Sequence, residues 1–435
     1  LLDEGYHFVY YDSTRGLCFS TDSAGDWCTA FQLGGKVAYR PQEMETGIRI
    51  TTSYPDLVVY TFAPFKGIAV QAVFLVLDSR AALHEMTIRN DGTQVVELGL
   101  ASFVHHRLKN VHADTAAHAM TFEHREPPDR WTVQHNIPHI DSVRNLLLAS
   151  ERCEHLVARK HLDPTSLLHA ETLTSRADSA RTVALRMSIS LMPGASKQIR
   201  FVRAVSPLDE DVARLYQAAR RALSEDVVEH IRRNGQLFST IPRLTHLDRD
   251  HQLLYWNAFT LLRQCMLPPE GNCRFNYYVF SREPQWGWGH GGQVFHESLS
   301  MLAYVLMDPM SALNSQRVFF ERQRPDGYIN YRTGPYLDET IPYNDQLTTS
   351  APWLSWENWE LYKQTKDKSF LADAYRVGVR LYEYWLNNRD ADRDGLCEWG
   401  GHAVLESVRD SKVAVWDQVG WPSHFEALDL NCMLV

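Results

Sequence analysis

Residues 183–209 read VALRMSISLMPGASKQIRFVRAVSPLD, and the period of the chain changes inside this stretch. Val183–Leu191 and Gln198–Val205 are rich in β-branched, aliphatic and aromatic residues and are separated by the turn pair Pro193-Gly194, so they read as paired strands. Ser206-Pro207-Leu208-Asp209 then carries the marks of a helix start. These are a hydroxyl N-cap, a proline at the first helical position and an acid facing the helix dipole. The stretch therefore predicts β-structure before Ser206 and helices after it.

Towards the N-terminus the strand reading continues through Ile48–Thr52, Leu57–Phe62, Ile68–Leu77 and Leu98–Phe103, with turn signals at Leu33-Gly34-Gly35 and Asn90-Asp91-Gly92. Short strands without intervening helical periods predict an antiparallel β-sandwich over residues 1–205. His105, His106, His112, His118 and His124 fall in this half, but none has metal-ligand spacing, so they read as exposed or hydrogen-bonded histidines.

Towards the C-terminus, a helix from Ser206 to the Asn234-Gly235 stop makes residues 206–245 a helical linker. Beyond it the apolar period is helical. Candidate helices are Asp248–Met266, Gly292–Met307, Pro309–Gln323, Ala351–Thr365, Lys368–Asn388 and Phe425–Val435, with Asp308 and Asp367 as N-caps. Helix pairs joined by long loops predict an (α/α)6-type barrel. Such a toroid has twelve helices and only six are counted, so residues 246–435 read as the first part of a barrel, incomplete at the C-terminus.

At 435 residues the chain is too long for one ordinary core. Hydrophobic content of 44% and charged content of 22% fit a globular protein. A net charge of -9 without long basic runs argues against nucleic acid, and no apolar run is long enough to span a bilayer. Seven scattered cysteines form no CxxC pair, which points to isolated thiols and a reducing, cytoplasmic compartment over a periplasmic or secreted one. The chain starts at Leu1 without a methionine, as a processed or missing N-terminus would.

Nine of the 12 tryptophans lie between Trp286 and Trp421. Trp286-Gly287-Trp288-Gly289-His290-Gly291-Gly292 combines stacking faces with backbone that a ligand can approach closely, and His296-Glu297 follows. Trp353, Trp356 and Trp359, three apart, read as packing between helices. Residues 398–431 interleave Glu398, Glu406, Arg409, Asp410 and Asp417 with Trp399, Trp416 and Trp421, as a sugar-processing cleft requires. Asp390-Ala391-Asp392-Arg393-Asp394-Gly395-Leu396-Cys397-Glu398 places acids at positions 1, 3, 5 and 9 of a calcium loop, a glycine at 6 and the Leu396 carbonyl at 7. Position 12, usually Glu, is Gly401.

These motifs resemble glycoside hydrolase family 63 and its relatives, α-glucosidase-like and mannosylglycerate hydrolase-like enzymes with an (α/α)6 barrel. The resemblance spans residues 286–431: WGWGHGGQVFHES, Asp308-Pro309, Gln323 with Asp326-Gly327-Tyr328-Ile329, APWLSWENWELY, NRDADRDGLCEWG, ESVRD and ALDLN. It implies an inverting, exo-acting glycosidase working on α-linked glucose-like units of an oligosaccharide or small glycoside. Asp410 of Glu406-Ser407-Val408-Arg409-Asp410 falls at the family's general acid, with Val408 where the family has Gly. The catalytic base, a later Glu, is expected beyond Val435. Glu297 stands where relatives place a substrate-binding Asp. Trp286, Trp288, His290, Trp399, Glu406, Arg409 and Trp416 are the other candidate substrate contacts. Ca²⁺ is the implied metal, held by Asp390, Asp392, Asp394, Leu396 and Glu398. The alternatives are a glycoside phosphorylase on a related barrel and a catalytically inactive sugar-binding protein.

Overall fold

The computed structural model describes residues 10–12, 17–19, 26–78, 80–125, 140–159, 170–269, 272–279, 292, 294–330, 332–334, 338–340, 342–343, 346–347, 352–398, 426 and 428–435. The chain divides into two compact units, Leu1–Asp12 with Gly16–Arg233 and Ser13–Arg15 with Asn234–Val435.

The first unit is built on antiparallel strands. Its main sheet comprises β3 (Asp26–Leu33), β4 (Lys36–Ala38), β5 (Thr46–Ser53), β6 (Leu57–Phe65), β7 (Ile68–Val76), β8 (Ala81–Asn90), β9 (Val96–Asp114), β10 (Ala119–Arg125), β11 (Ser142–Ala149), β12 (Glu154–Ala158), β13 (Glu171–Thr172), β14 (Arg176–Leu191) and β15 (Ser196–Pro207). A separate two-stranded ribbon pairs β1 (Tyr10–Asp12) with β2 (Leu17–Phe19). The main order is β13-β12-β14-β9-β10-β11-β15-β8-β7-β6-β5, with β3 branching from β9 and carrying β4. Hydrogen bonding is thus continuous from β13 to β5 in the main sheet. Tyr60, Phe62 and Val70 from one end of the order share a core with Leu100, Val104 and Leu185 from the other, so the sheet folds over onto itself.

Ser206 and Pro207 correct the sequence reading. They end β15, with Arg144 opposite Ser206 and Val143 opposite Pro207. Pairing with β8 has already stopped at Ala204, so the proline's missing N–H breaks no ladder on that side. The helix begins later, at α1 (Val212–Leu223), where Asp211 caps by accepting from the Ala213 N–H. Leu215, Ala219 and Ala222 form the buried stripe of α1 and pack against Leu83, Leu146 and Val202 of the sheet. The expected single linker helix is two helices. α2 (Val227–Ser239) runs straight through the expected Asn234-Gly235 stop.

The second unit is helical. Among the described residues it has α3 (Arg249–Cys265), α4 (Val294–Tyr304), α5 (Pro309–Arg322), α6 (Leu354–Thr365), α7 (Lys368–Arg389) and α8 (Leu428–Leu434). Asp308 and Asp367 are the N-caps the sequence predicted, and Asp248 is a third. Asp248, Asp308 and Asp367 accept from the backbone N–H groups of His251, Ser311 and Phe370. After α5 the chain turns at Gly327, whose φ is +93°. A Cβ there would lie 2.0 Å from the Arg380 carbonyl oxygen of α7, so only glycine fits this approach. The neighbouring Gln323 side chain donates to the Gly327 and Val377 carbonyls and ties the turn to α7. Helix pairs α4/α5 and α6/α7 stack over cores containing Met301, Leu313, Leu361 and Phe370, and Val294, Phe319, Leu354 and Trp385. No described helix is long and apolar enough to cross a membrane.

Candidate functional site

The DxDxDG loop is the part of the nominated site that the described residues contain. Helix α7 ends at Arg389, and Asp390 is its C-terminal cap residue. The chain then folds back on itself through two left-handed residues, Arg393 (φ +63°) and Gly395 (φ +92°). Glycine at the second position removes the Cβ penalty. The turn is knitted by its own acids. Gly395 N–H donates to Asp390 Oδ2 at 3.1 Å, Leu396 N–H to Asp394 Oδ1 at 2.8 Å, and Asp394 N–H to Asp392 Oδ1 at 3.3 Å. One carboxylate oxygen from each of Asp390, Asp392 and Asp394 lies within 4.8 Å of the others.

Glu398 closes the loop. It is 5% exposed, its two oxygens accept from the Ala391 N–H at 3.1 and 3.2 Å, and its own N–H donates to the Arg389 carbonyl. The loop is also fastened to α8. Asn431 accepts from the Cys397 N–H at 2.8 Å and donates back to the Cys397 carbonyl at 3.1 Å. Glu426 adds a fifth acid, missed in the sequence because it lies 28 residues beyond Glu398. Repulsion from Asp394, then burial and the charges of Asp392, Glu398 and Asp390, raises its pKa.

The residues fit a hard, oxygen-seeking cation. Several carboxylates converge without a basic partner among the contacts described for them, and Asp390 Oδ1 is buried with no hydrogen-bond partner. Its other oxygen is engaged by the Gly395 N–H, the arrangement that leaves Oδ1 free to face an ion.

Trp286, Trp288, His290, Trp399, Glu406, Arg409, Asp410 and Trp416 lie outside the described residues, as does Asp417. For Glu297 only the backbone is described, within the first turn of α4. Thr333 pairs its backbone with Gly292, the last residue of the WGWGHGG run, through N–H···O bonds of 2.8 and 3.0 Å.

The tryptophans of α6 differ from their sequence reading. Trp356 and Trp359 are 48% and 49% exposed and do not fill a helix interface. Together with Leu299, Trp353, Tyr382 and Met433 they line an open, largely apolar cavity of about 660 Å³. The buried face of α6 is instead Leu354, Glu357, Asn358 and Leu361. That polar pair inside a helix stripe was the signal available in WENW, hidden by the flanking indoles.

Residues 286–411 match the family model of the mannosylglycerate hydrolase MGH1-like glycoside hydrolase domain. Similar solved structures include one described as a kojibiose phosphorylase from the human microbiome, at 10% identity and TM-score 0.46, covering 84% of this chain and 50% of that one. Another is a family GH92 inverting mannosidase from Bacteroides thetaiotaomicron, at 10% identity and TM-score 0.37, covering 82% and 55%. A heparan sulfate lyase from Pedobacter heparinus matches at 9% identity and TM-score 0.27, covering 42% and 24%. The chain thus spans about half the length of the first two. The matched span holds the WGWGHGG run, the DxDxDG loop and the ESVRD segment, so over residues 286–411 the chain is similar to an MGH1-like glycoside hydrolase domain.

Proposed function

We propose that the protein is an inverting, exo-acting glycosidase that releases an α-linked hexose of glucose or mannose configuration from a small glycoside or oligosaccharide. The match of residues 286–411 to the MGH1-like glycoside hydrolase domain carries this reading, because the matched span includes Asp410 in its ESVRD context. Asp410 protonates the glycosidic oxygen as the bond to the anomeric carbon breaks. A second carboxylate takes a proton from the attacking water on the opposite face, at a separation of about 6.5–9.5 Å from the acid. Trp286, Trp288 and Trp399 offer stacking faces, and His290, Glu297, Glu406 and Arg409 bind sugar hydroxyls.

The same reading assigns Ca²⁺ to Asp390, Asp392, Asp394, the Leu396 carbonyl and Glu398. When bound, the cation would neutralise these carboxylates and steady the loop that follows α7. It takes no part in bond breaking.

The test is hydrolysis of α-glucosides, α-mannosides and mannosylglycerate followed by NMR of the first-formed anomer. Release of the β-anomer, independent of orthophosphate, is the expected result. Turnover only with orthophosphate and release of a sugar phosphate would identify a phosphorylase. No turnover on any α-glycoside would leave a sugar-binding protein.

A further inference from the structure

Three helices of the second unit pass polar positions through one level of an otherwise apolar interior. On α6, Glu357 and Asn358, 0% and 1% exposed, lie between buried Leu354 and Leu361. On α5, fully buried Gln316 lies between Leu313 and Phe319. The apolar residues on either side belong to two distinct cores. Leu313, Leu361 and Met301 share one, and Phe319, Leu354 and Val294 share the other. On α4 the backbone midway between Val294 and Met301 is that of Glu297 and Ser298.

Much of this level is unpaired. Asn358 Nδ2 and Oδ1 are both buried without a hydrogen-bond partner, as are Gln316 Oε1 and Thr333 Oγ1. A core amide with neither end satisfied weakens a fold, and natural interiors seldom keep one without a use. Its donor and acceptor match two adjacent hydroxyls of a sugar ring, which present one acceptor and one donor at carboxamide spacing. Thr333 is bonded through its backbone to Gly292, the last residue of the WGWGHGG run.

We propose that this level is the floor of the glycan site and that Asn358 hydrogen-bonds vicinal hydroxyls of the bound pyranose, with Gln316 and Thr333 as further contacts. The assignment rests on the glycosidase reading and makes Asn358 a specificity-determining residue for hydroxyl configuration.

Calorimetric titration with methyl α-mannoside and methyl α-glucoside, paired with thermal melting, tests it on wild type, Asn358→Leu and Thr333→Val. Removing an unpaired amide leaves Tm unchanged or raises it by about 2 °C, while affinity for the preferred glycoside falls about tenfold. Thr333→Val, nearly isosteric, keeps the fold and weakens binding about threefold or more. A large drop in Tm for Asn358→Leu would show the amide to be a core partner and overturn the proposal. So would wild-type affinity in both variants. Failure of the wild type to bind either glycoside would overturn the glycosidase reading along with it.

Discussion

His84 shows how a single residue reports on its surroundings. Its imidazole is buried among Trp27, Tyr60 and Phe74, with the Tyr60 hydroxyl 2.9 Å from Nε2 and Thr29 Oγ1 3.3 Å from Nδ1. Burial pushes its pKa down to about 4. The folded value lies below the unfolded value near 6.5, so the stability it contributes is complete above pH 6.5 and is lost as pH falls towards 4. The loss amounts to about 3 kcal/mol. Denaturant titrations at stepped pH should show that slope in the wild type and a flatter acid limb in His84→Gln. At the nominated catalytic residue, Asp410→Asn should keep the fold and cut turnover of a natural disaccharide by about 10²–10⁴-fold. Activated aryl glycosides, whose leaving groups need little protonation, should lose less. Steady-state kinetics on both substrates checks the pair. In Asp390→Ala, calcium binding followed by calorimetry should vanish, because that variant removes both the buried Oδ1 and the acceptor for Gly395.

At the scale of elements, the turn at Gly327 makes the firmest prediction. Gly327→Ala combines a left-handed φ with a Cβ set against the Arg380 carbonyl, so α7 or the turn has to move. The expected cost is about 3 kcal/mol or more, read as a fall in the denaturation midpoint. The element scale also separates what the sequence disclosed from what it hid. Helix caps were legible at Asp308 and Asp367 because a cap is a local interaction within three residues. Ser206-Pro207 has the same local appearance but lies in β15, where pairing with β11, distant in sequence, overrides the local preference. Strand β8 escaped notice because His84 and Glu85 interrupt its apolar run. Both are buried and matched from other strands, Glu85 by Arg200 at 2.7 Å. The convergence of Asp390, Asp392 and Asp394 could be read from their acid spacing. The polar level of α5 and α6 could not, since Gln316 and Asn358 are 42 residues apart and reach one level only when the helices stack.

For the whole molecule, the two units differ in how their contacts are distributed. The first depends on pairings between remote strands, such as β3 with β9, and the second on neighbouring helices and local caps. The acid loop belongs to the second unit alone. Chelation by EGTA should therefore lower the melting of the helical signal and leave the sheet transition in place, which circular dichroism scans with and without Ca²⁺ would resolve. Identical helical melting under both conditions would remove Ca²⁺ from the description. The Asn431 clasp on Cys397 has a consequence for how such chains diversify. It fastens two points 34 residues apart, like the drawstring of a purse, so the length of the intervening segment is set free from the stability of its neck. Doubling that length adds only about 0.6 kcal/mol of closure entropy. Insertions between Glu398 and Glu426 should therefore leave the clasp between Cys397 and Asn431 nearly as stable as before.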